Sequence, residues 1–461
     1  MATTELRVLL IEFLDYACTL SPKAMLTVYV DDMTVEATAR ERDIVEIITA
    51  VLRYLVSVMV QLRMRLSDSK CVCCASSFRI GRSLAGVVPG LKMRFAPRVT
   101  FLGSALGAGT RRNMKVAHAR LANFRARKTR FQRLRDAGVN VPRLMRTGGV
   151  AALTYGQAVT GVSNKLLVQQ RRSGAAATVR TMGGGDLELT LAFADGSRHG
   201  RVDPAFEAHC KPIVFWAIAV WHEWLPRAAL GRLIAAARAR LARAKNHWAA
   251  VRGPAAAYVA TAIRLGWCVQ GPLSVLTDDG VTLDFSVESP AFVKAAVDES
   301  VRRWRGRNIG RRLAGADPDG LGLGPSLAGI YRLLDPRRCT GDDDWGPRER
   351  AGLRSAVANR QWPQARLCSA GLAESPACQL CEKVFQLRHI GVASPRSLSE
   401  CSDLNMPSTS YVLTAPPAAT TVVTTADNVL IGTLIHRVWE CTTTFQHRRR
   451  RIPARSLSGY S

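Results

Sequence analysis

The stretch LTVYVDDMTVEA, residues 26–37, puts two adjacent aspartates between two short runs of β-branched and aromatic residues. Such runs favour strands, so the stretch predicts a β-hairpin with Asp31 and Asp32 at its tip. Neighbouring carboxylates raise each other's pKa, and a divalent cation such as Mg²⁺ removes that repulsion. Aspartate is also common in ordinary turns, so the pair by itself leaves both a metal site and a plain turn open.

The pattern around this hairpin alternates between strands and one long helix. Apolar residues recur at helical spacing through residues 44–62. The segment LSDSKCVCCAS, residues 66–76, predicts a turn that leads into a short strand, and RVTFLGSAL, residues 98–106, predicts a further strand. Together these elements predict an α+β fold in which a helix packs behind a short antiparallel sheet.

The composition narrows the class of partner. The chain has 461 residues, of which 47% are hydrophobic, and it carries 64 Lys and Arg against 36 Asp and Glu, a formal net charge of +28. The length and the hydrophobic content predict several folded domains. The positive excess repels itself unless a polyanion offsets it, which favours nucleic acid as the partner. Ribosome-associated and membrane-surface proteins share this charge balance.

Neither a secretory signal nor a membrane span is predicted. Glu12 soon interrupts the apolar run at residues 8–10, and the apolar helix at 44–62 contains Glu46 and Arg53. We therefore expect a nuclear or cytoplasmic protein that is not secreted and has no membrane partner. In a reducing compartment, paired cysteines are more often metal ligands than disulfides.

From residue 111 onward the pattern is mainly helical. Residues 111–138 and 227–254 each have a helical apolar stripe and a polar face crowded with arginines, and Gly253-Pro254 is expected to end the second. The Gly-rich residues 173–200 predict a loop or hairpin. The inward-facing residues that the periodicity predicts are Val116, Leu121, Phe124, Phe131 and Leu134 in the first segment, and Leu230, Leu233, Ile234, Ala237 and Leu241 in the second.

Three short motifs, taken in order, resemble those of the reverse transcriptases of non-LTR retrotransposons. YVDD at residues 29–32 is similar to motif C, the catalytic hairpin of the palm. LSDSK at 66–70 resembles motif D, whose lysine lies near the triphosphate, and FLG at 101–103 resembles motif E, the primer-grip hairpin. The resemblance implies an RNA-directed DNA polymerase that uses an RNA template, a DNA primer and dNTPs.

The same resemblance assigns roles to individual residues. Asp31 and Asp32 are implied ligands of Mg²⁺ or Mn²⁺ in two-metal chemistry, and Lys70 is the implied third catalytic residue. The basic segment after residue 111 corresponds to the thumb, whose cations contact phosphates without reading sequence; the alternative is a solvated Arg-rich face. The implied nucleic-acid-binding residues are Tyr29, Phe101, Gly103, Arg111, Arg112, Lys115, Arg125, Arg127, Lys128 and Arg130.

A cysteine pair near the end has the spacing of a zinc site. Cys378-x-x-Cys381 supplies two thiolates, and His436-x4-Cys441 lies far downstream. The family carries a CCHC knuckle after its thumb, and HRVWEC resembles its second half, which implies Zn²⁺ at these four residues. The stretch 391–428, rich in Ser, Thr, Pro and Ala, separates the halves as an insertion, and a longer loop adds only logarithmically to the closure cost.

Two alternatives to this zinc site stay open. His389, eight positions after Cys381, is an alternative third ligand, with Cys401 as the fourth. Alternatively, the thiols bind no metal. With the knuckle included, the resemblance divides the chain into a partial palm (1–110), a basic helical thumb (111–175), a mostly helical connector with Gly-rich loops (176–345), a knuckle region (346–445) and a basic tail (446–461).

The resemblance is incomplete on the amino-terminal side of the hairpin. In the family, a third catalytic aspartate lies on an earlier strand, motif A, and a Gly-rich motif B follows it. Asp15 is the only aspartate before Asp31, and the helical pattern of residues 6–17 excludes it as motif A. Two-metal chemistry then lacks a fixed ligand, so we expect a polymerase fragment that is inactive alone. The alternatives are a non-catalytic nucleic-acid-binding protein and a zinc-stapled interaction protein.

Overall fold

The structure is a computed structural model, and it combines helices with short sheets. It describes residues 2–29, 32–67, 70–107, 112–179, 185–195, 201–311, 327–334, 346–358, 360, 367–368 and 370–376. Several predicted features lie outside the described residues: Asp31, Arg111, the zinc ligands Cys378, Cys381, His436 and Cys441, the alternative ligands His389 and Cys401, the insertion 391–428 and the tail 446–461. No helix among the described residues has both the length and the apolarity needed to cross a bilayer.

The amino-terminal unit is a small helix-and-sheet assembly. Its elements are α1 (Ala2–Leu20), β1 (Ala24–Tyr29), β2 (Asp32–Ala37), α2 (Glu41–Gln61), β3 (Val72–Cys73), α3 (Phe78–Ala85) and β4 (Arg94–Phe95). β1 and β2 form the predicted antiparallel hairpin, and β3 pairs in parallel with β4. The predicted apolar stripe of α2 is buried at Ile48, Val51 and Leu55, and it packs behind the hairpin.

The next segment begins with a second hairpin. Residues 98–106, predicted as one strand, fold into β5 (Arg98–Phe101) and β6 (Ser104–Gly107), which pair in antiparallel fashion. Leu102 and Gly103 both adopt positive φ angles, 43° and 72°. A two-residue turn with positive φ at both positions matches the twist of a hairpin, so the chain reverses here instead of continuing as a strand. The resemblance to the motif E hairpin had implied this geometry.

The remaining described elements are almost all helical. They are α4 (Lys115–Ala126), α5 (Lys128–Asp136), α6 (Val141–Leu144), a π-helical turn (Met145–Gly149), α7 (Val150–Thr154), α8 (Gln157–Thr160), α9 (Asn164–Thr178), α10 (Leu187–Asp195), α11 (Pro204–Trp221), α12 (Arg227–Arg243), α13 (His247–Ala250), α14 (Gly253–Leu265), β7 (Cys268–Val269), β8 (Ser274–Leu276), β9 (Thr282–Asp284), α15 (Pro290–Gly310), α16 (Ala328–Leu334) and α17 (Pro347–Val357). One continuous apolar core runs from Leu121 to Val301 and centres on α11, which packs against α14 and α15.

The prediction of a loop or hairpin over residues 173–200 was wrong where the structure describes them. α9 continues through Ala175 to Thr178, because alanine has the highest helix propensity and outweighs Gly174. α10 then begins after Asp186. The side chain of Asp186 caps this helix, because its Oδ1 accepts hydrogen bonds from the backbone N–H groups of Glu188 and Leu189. Gly253-Pro254 does not end a helix but opens α14, because proline is tolerated in a first turn.

A buried cluster of charged side chains, the ionic core, joins α9, α10, α11 and α15. Its members are Arg171, Glu188, Asp195, Asp203 and Arg305, all almost inaccessible to solvent. Arg171 donates to Asp203 Oδ2 at 2.8 Å and to Glu188 Oε1 at 2.6 Å. Burial alone would raise the pKa of Asp203, but the two guanidiniums outweigh it and hold that pKa below its usual range.

Candidate nucleic-acid interface

The β1–β2 hairpin presents one face to solvent. Leu26 and Val35 lie opposite each other and pack towards α2, so the alternate residues Thr27 and Tyr29 point the other way. Tyr29 is 58% exposed and pairs across the strands with Asp32, which is also exposed. The described half of the aspartate pair therefore lies at the turn end of the hairpin, where it is exposed.

Asp32 and Lys70 stand apart from other charged groups. Neither side chain forms an ion pair with the residues that the structure describes. Lys70 is exposed in the turn after α2, where its backbone N–H donates to Ser67 O at 3.0 Å. No three Asp, Glu, His or Cys side chains within the described ranges converge on a position for a metal ion.

The β5–β6 hairpin is clamped to the helices by Arg120 and Tyr155. Arg120 donates to Gly103 O at 2.6 Å and to Tyr155 O at 2.7 Å, and its guanidinium stacks 4.8 Å from the centre of the Tyr155 ring. Tyr155 in turn donates its hydroxyl to Leu102 O at 3.0 Å. A Cβ added at Gly103 would lie 2.9 Å from Tyr155 Cε1, so only glycine fits this turn without displacement.

Asn113 fixes the other end of the same hairpin. Its side-chain amide donates to Leu106 O at 2.9 Å, and its Oδ1 accepts the backbone N–H of Lys115 at the start of α4. The hairpin that contains Phe101 and Gly103 is therefore joined at both ends to the first basic helix. Phe101 is partly buried within this joint.

Helices α4 and α5 carry a run of exposed cations, here called the basic face. The basic face consists of Lys115, Arg125, Arg127, Lys128 and Arg130, which are all exposed. Leu121 and Phe124 anchor α4 in the core, and Phe131 of α5 stacks on Phe124 with ring centres 5.4 Å apart. The sequence has no Asp or Glu between Asp68 and Asp136, so no acidic neighbour along this stretch neutralises these charges.

Arg112 differs from the other predicted phosphate contacts. Its guanidinium donates to the carbonyls of Thr160 and Gly161 at the end of α8 and to Trp248 O at 3.3 Å. Burial lowers the pKa of Arg112 to about 10. Burial also lowers the pKa of Arg264, to about 9, and the charge of Arg112 contributes. Arg112 thus ties α8 to the segment around Trp248, a contact between residues too distant in sequence to predict.

Sequence reasoning missed Arg120 and Tyr155 as organisers of the interface. Arg120 and Tyr155 lie 35 positions apart in the sequence. No local sequence pattern indicates that both donate hydrogen bonds to carbonyl groups of the same turn. Tyr155 follows α7 directly, just before Gly156, whose φ of 77° lets the chain turn back towards the hairpin.

Comparisons with known proteins return nothing. No protein-family model matches the chain, and no significant match exists among curated proteins or solved structures. The function is therefore inferred from the residues and their geometry.

Proposed function

We propose that this chain is part of an RNA-directed DNA polymerase of the non-LTR retrotransposon kind, and that it binds nucleic acid through the basic face. An RNA template and a DNA primer are the proposed partners. The hairpin at 29–32 is the proposed remnant of the catalytic site, and the chain alone is not expected to polymerise. Zn²⁺ at Cys378, Cys381, His436 and Cys441 remains part of the proposal.

One observation carries the proposal: the exposed cations of the basic face lie on α4 and α5, and α4 is hydrogen-bonded to the FLG hairpin. Phosphate binding requires accessible, uncompensated cations, and Arg127, Lys128 and Arg130 are accessible and form no ion pair among the described residues. Arg120 holds this surface to the turn at Leu102 and Gly103, and Asn113 holds it to Leu106 at the other end of the hairpin. A backbone-tracking surface beside a hairpin that contacts the primer end is the arrangement that the resemblance implies.

The described residues do not by themselves fit a two-metal centre. Mg²⁺ needs several oxygen ligands in octahedral geometry, and Asp32 is the one carboxylate that the structure describes at the hairpin tip. We therefore derive no catalytic step through the ion. The part of the proposal that the geometry supports best is nucleic-acid binding.

Neutralising the basic face tests that part directly. The variant Arg127→Gln, Lys128→Gln, Arg130→Gln removes three cations, and binding of a fluorescein-labelled 20-base-pair duplex is followed by anisotropy. The expected fall in affinity is about tenfold or more at 0.1 M salt. The slope of log K against log salt should become shallower by about 0.9 for each phosphate that the variant no longer binds.

The matched control removes three cations that already have acidic partners. Arg79 pairs with Glu41, Lys294 with Asp298, and Arg302 with Glu299. The control variant Arg79→Gln, Lys294→Gln, Arg302→Gln has the same net charge as the test variant. Equal falls in affinity in the two variants would mean that bulk charge, not the basic face, attracts the duplex.

A second candidate is a nucleic-acid-binding protein without catalysis. One observation favours it: no group of three or more Asp, Glu, His or Cys side chains that could hold a metal ion is found among the described residues. Neither candidate is expected to extend a primer by itself, so primer extension on a homopolymer template tests the inactivity that the two share. Synthesis that needs Mg²⁺ and disappears in Asp31→Ala would identify a working polymerase. In a non-catalytic binder, Asp32→Asn should leave binding intact or tighten it, because repulsion between the carboxylate and phosphate falls.

A further inference from the structure

Helix α12 carries a second set of exposed arginines, outside the region that the sequence analysis assigned to nucleic acid. Leu230, Ile234, Ala237 and Leu241 of α12 are buried, and the helix packs on α14. Arg232, Arg240 and Arg243 lie outside this buried stripe, and all three are exposed. These three residues define the α12 surface.

The charges of the α12 surface have no acidic partners among the described residues. The sequence contains no Asp or Glu between Glu223 and Asp278, so neutralisation by a neighbour in the chain is excluded. The crowding also affects a nearby residue: burial lowers the pKa of Arg252, and the charge of Arg240 lowers it further. A set of cations that repel one another is stabilised when a polyanion binds.

The arginines of α15 differ from those of the α12 surface, because they have acidic partners. Arg302 pairs with Glu299, and Arg303 and Arg307 both pair with Asp278. Arg305 belongs to the ionic core. These four arginines of α15 thus pair with acids, whereas Arg232, Arg240 and Arg243 of α12 pair with none that the structure describes.

The surroundings of the three arginines favour a phosphodiester backbone over a lipid surface. Exposed alanines, Ala235, Ala236, Ala239 and Ala242, lie between them, and short side chains let a nucleic-acid backbone approach the helix closely. A membrane-surface helix needs a broad apolar face to insert, whereas the apolar stripe of α12 is already buried against α14. Leu233, 43% exposed, is too small an apolar contact for that purpose.

We propose that the α12 surface is a second binding site for the phosphodiester backbone of nucleic acid, carried by a different helix from the basic face. The inference rests on the proposed function in requiring a nucleic-acid partner, and it adds a second point of contact on the connector. Two such surfaces on one chain bind two short oligonucleotides or one long one.

Stoichiometry tests the inference in the full chain. An 8-nucleotide single strand of mixed sequence is titrated at 50 mM salt by calorimetry against the wild type, the α12 variant Arg232→Gln, Arg240→Gln, Arg243→Gln, and the basic-face variant. Two strands per wild-type chain are expected, and one strand per chain in each variant. Urea unfolding of the α12 variant should match that of the wild type, because the three arginines are exposed and form no ion pair with the residues that the structure describes.

The outcomes distinguish the two proposals. An α12 variant that still binds two strands would overturn the inference while leaving the basic face intact as a site. A wild type that binds no strand at this salt would overturn both. Vesicles containing phosphatidylserine form a parallel arm. If the α12 variant no longer binds vesicles but keeps both strands, the surface is a lipid site and the inference is wrong.

Discussion

Arginine serves two different purposes in two regions of this molecule. In the ionic core, Arg171 is 2% exposed and holds Glu188 and Asp203 in hydrogen-bonded pairs. On the basic face, Arg127 and Arg130 are exposed and pair with no acid that the structure describes. The first set stabilises the packing of four helices, and the second carries charge that only an external anion can offset. Part of the net charge of +28 therefore lies on exposed cations that no described acid offsets.

Burial and pairing together determine which arginines can be changed without loss of the fold. Removing a buried partner leaves an uncompensated charge in a low-dielectric interior, whereas removing an exposed unpaired cation leaves nothing behind. Stability and binding should therefore respond to separate sets of substitutions.

Arg171→Met removes the centre of the ionic core and leaves Glu188 and Asp203 without their main donor. The free energy of unfolding should fall by about 3–5 kcal/mol, as is typical when one partner of a buried ion pair is removed. Urea denaturation followed by tryptophan fluorescence measures this, since all nine tryptophans lie at position 216 or later, within or after α11. An unchanged midpoint would show that the ionic core contributes little.

His209 makes the stability of the same region depend on pH. Its Nδ1 lies 2.6 Å from Ala205 O, and burial, with the charge of Arg264, lowers its pKa to about 3. The folded state thus keeps His209 neutral, while the unfolded chain takes up a proton below its ordinary pKa of 6.5. The free energy of unfolding should therefore fall by up to about 1.4 kcal/mol per pH unit as pH drops from about 6.5 towards 4.5.

The control for this prediction is His209→Gln, which retains an N–H donor and does not titrate. Its unfolding free energy should have a shallower pH slope than the wild type between about pH 6.5 and 4.5, whatever its absolute value. His222→Gln, at an exposed helix end, should keep the wild-type slope. Identical slopes in all three proteins would show that His209 is accessible to protons in the folded state.

Gly103→Ala tests the clamp between the FLG hairpin and the helices. The φ of 72° and the contact with Tyr155 both oppose a side chain, so the unfolding free energy should fall by about 1–2 kcal/mol. Gly138→Ala is a matched control, because Gly138 has a φ of 83° but no atom near its added Cβ. Gly103→Ala should lower the free energy of unfolding more than Gly138→Ala does. Equal destabilisation by the two variants would show that packing against Tyr155 does not constrain position 103.

Arg302→Met should have the smallest effect. Arg302 and Glu299 form an ion pair one helical turn apart, and both side chains are nearly half exposed. Solvent screens such a pair, so the unfolding free energy should change by no more than about 0.5 kcal/mol. A destabilisation approaching that of Arg171→Met in the same urea titration would contradict the division between buried and exposed arginines.

Much of the local structure follows from the sequence. The β1–β2 hairpin, the helix α2 and the helical pattern around Asp15 were all predicted, because alternation and helical periodicity are local signals. The same periodicity predicted Leu134 and Leu233 to face inward, yet both are about 40% exposed. Helical periodicity predicts which face of a helix is apolar. It does not predict how much of that face the neighbouring helices cover.

The candidate site could be predicted only in part. The charge of the basic face is visible in a run without acidic residues, and the turn at Gly103 is visible in the FLG motif. The clamp by Arg120 and Tyr155 and the inward turn of Arg112 depend on contacts between distant segments, so no local pattern contains them. Distance in sequence also concealed the pairing of Arg303 and Arg307 of α15 with Asp278.

The salt dependence of nucleic-acid binding is the most direct test of the central claim, that exposed unpaired cations of the helical region bind phosphates. Binding of a 20-base-pair duplex is measured for the wild type from about 50 to 300 mM NaCl. We predict that log K decreases linearly with log salt and that the slope is about −3 or steeper. Each phosphate contact contributes about −0.9 to this slope. Binding that is absent at 50 mM, or that does not change with salt, would contradict the account.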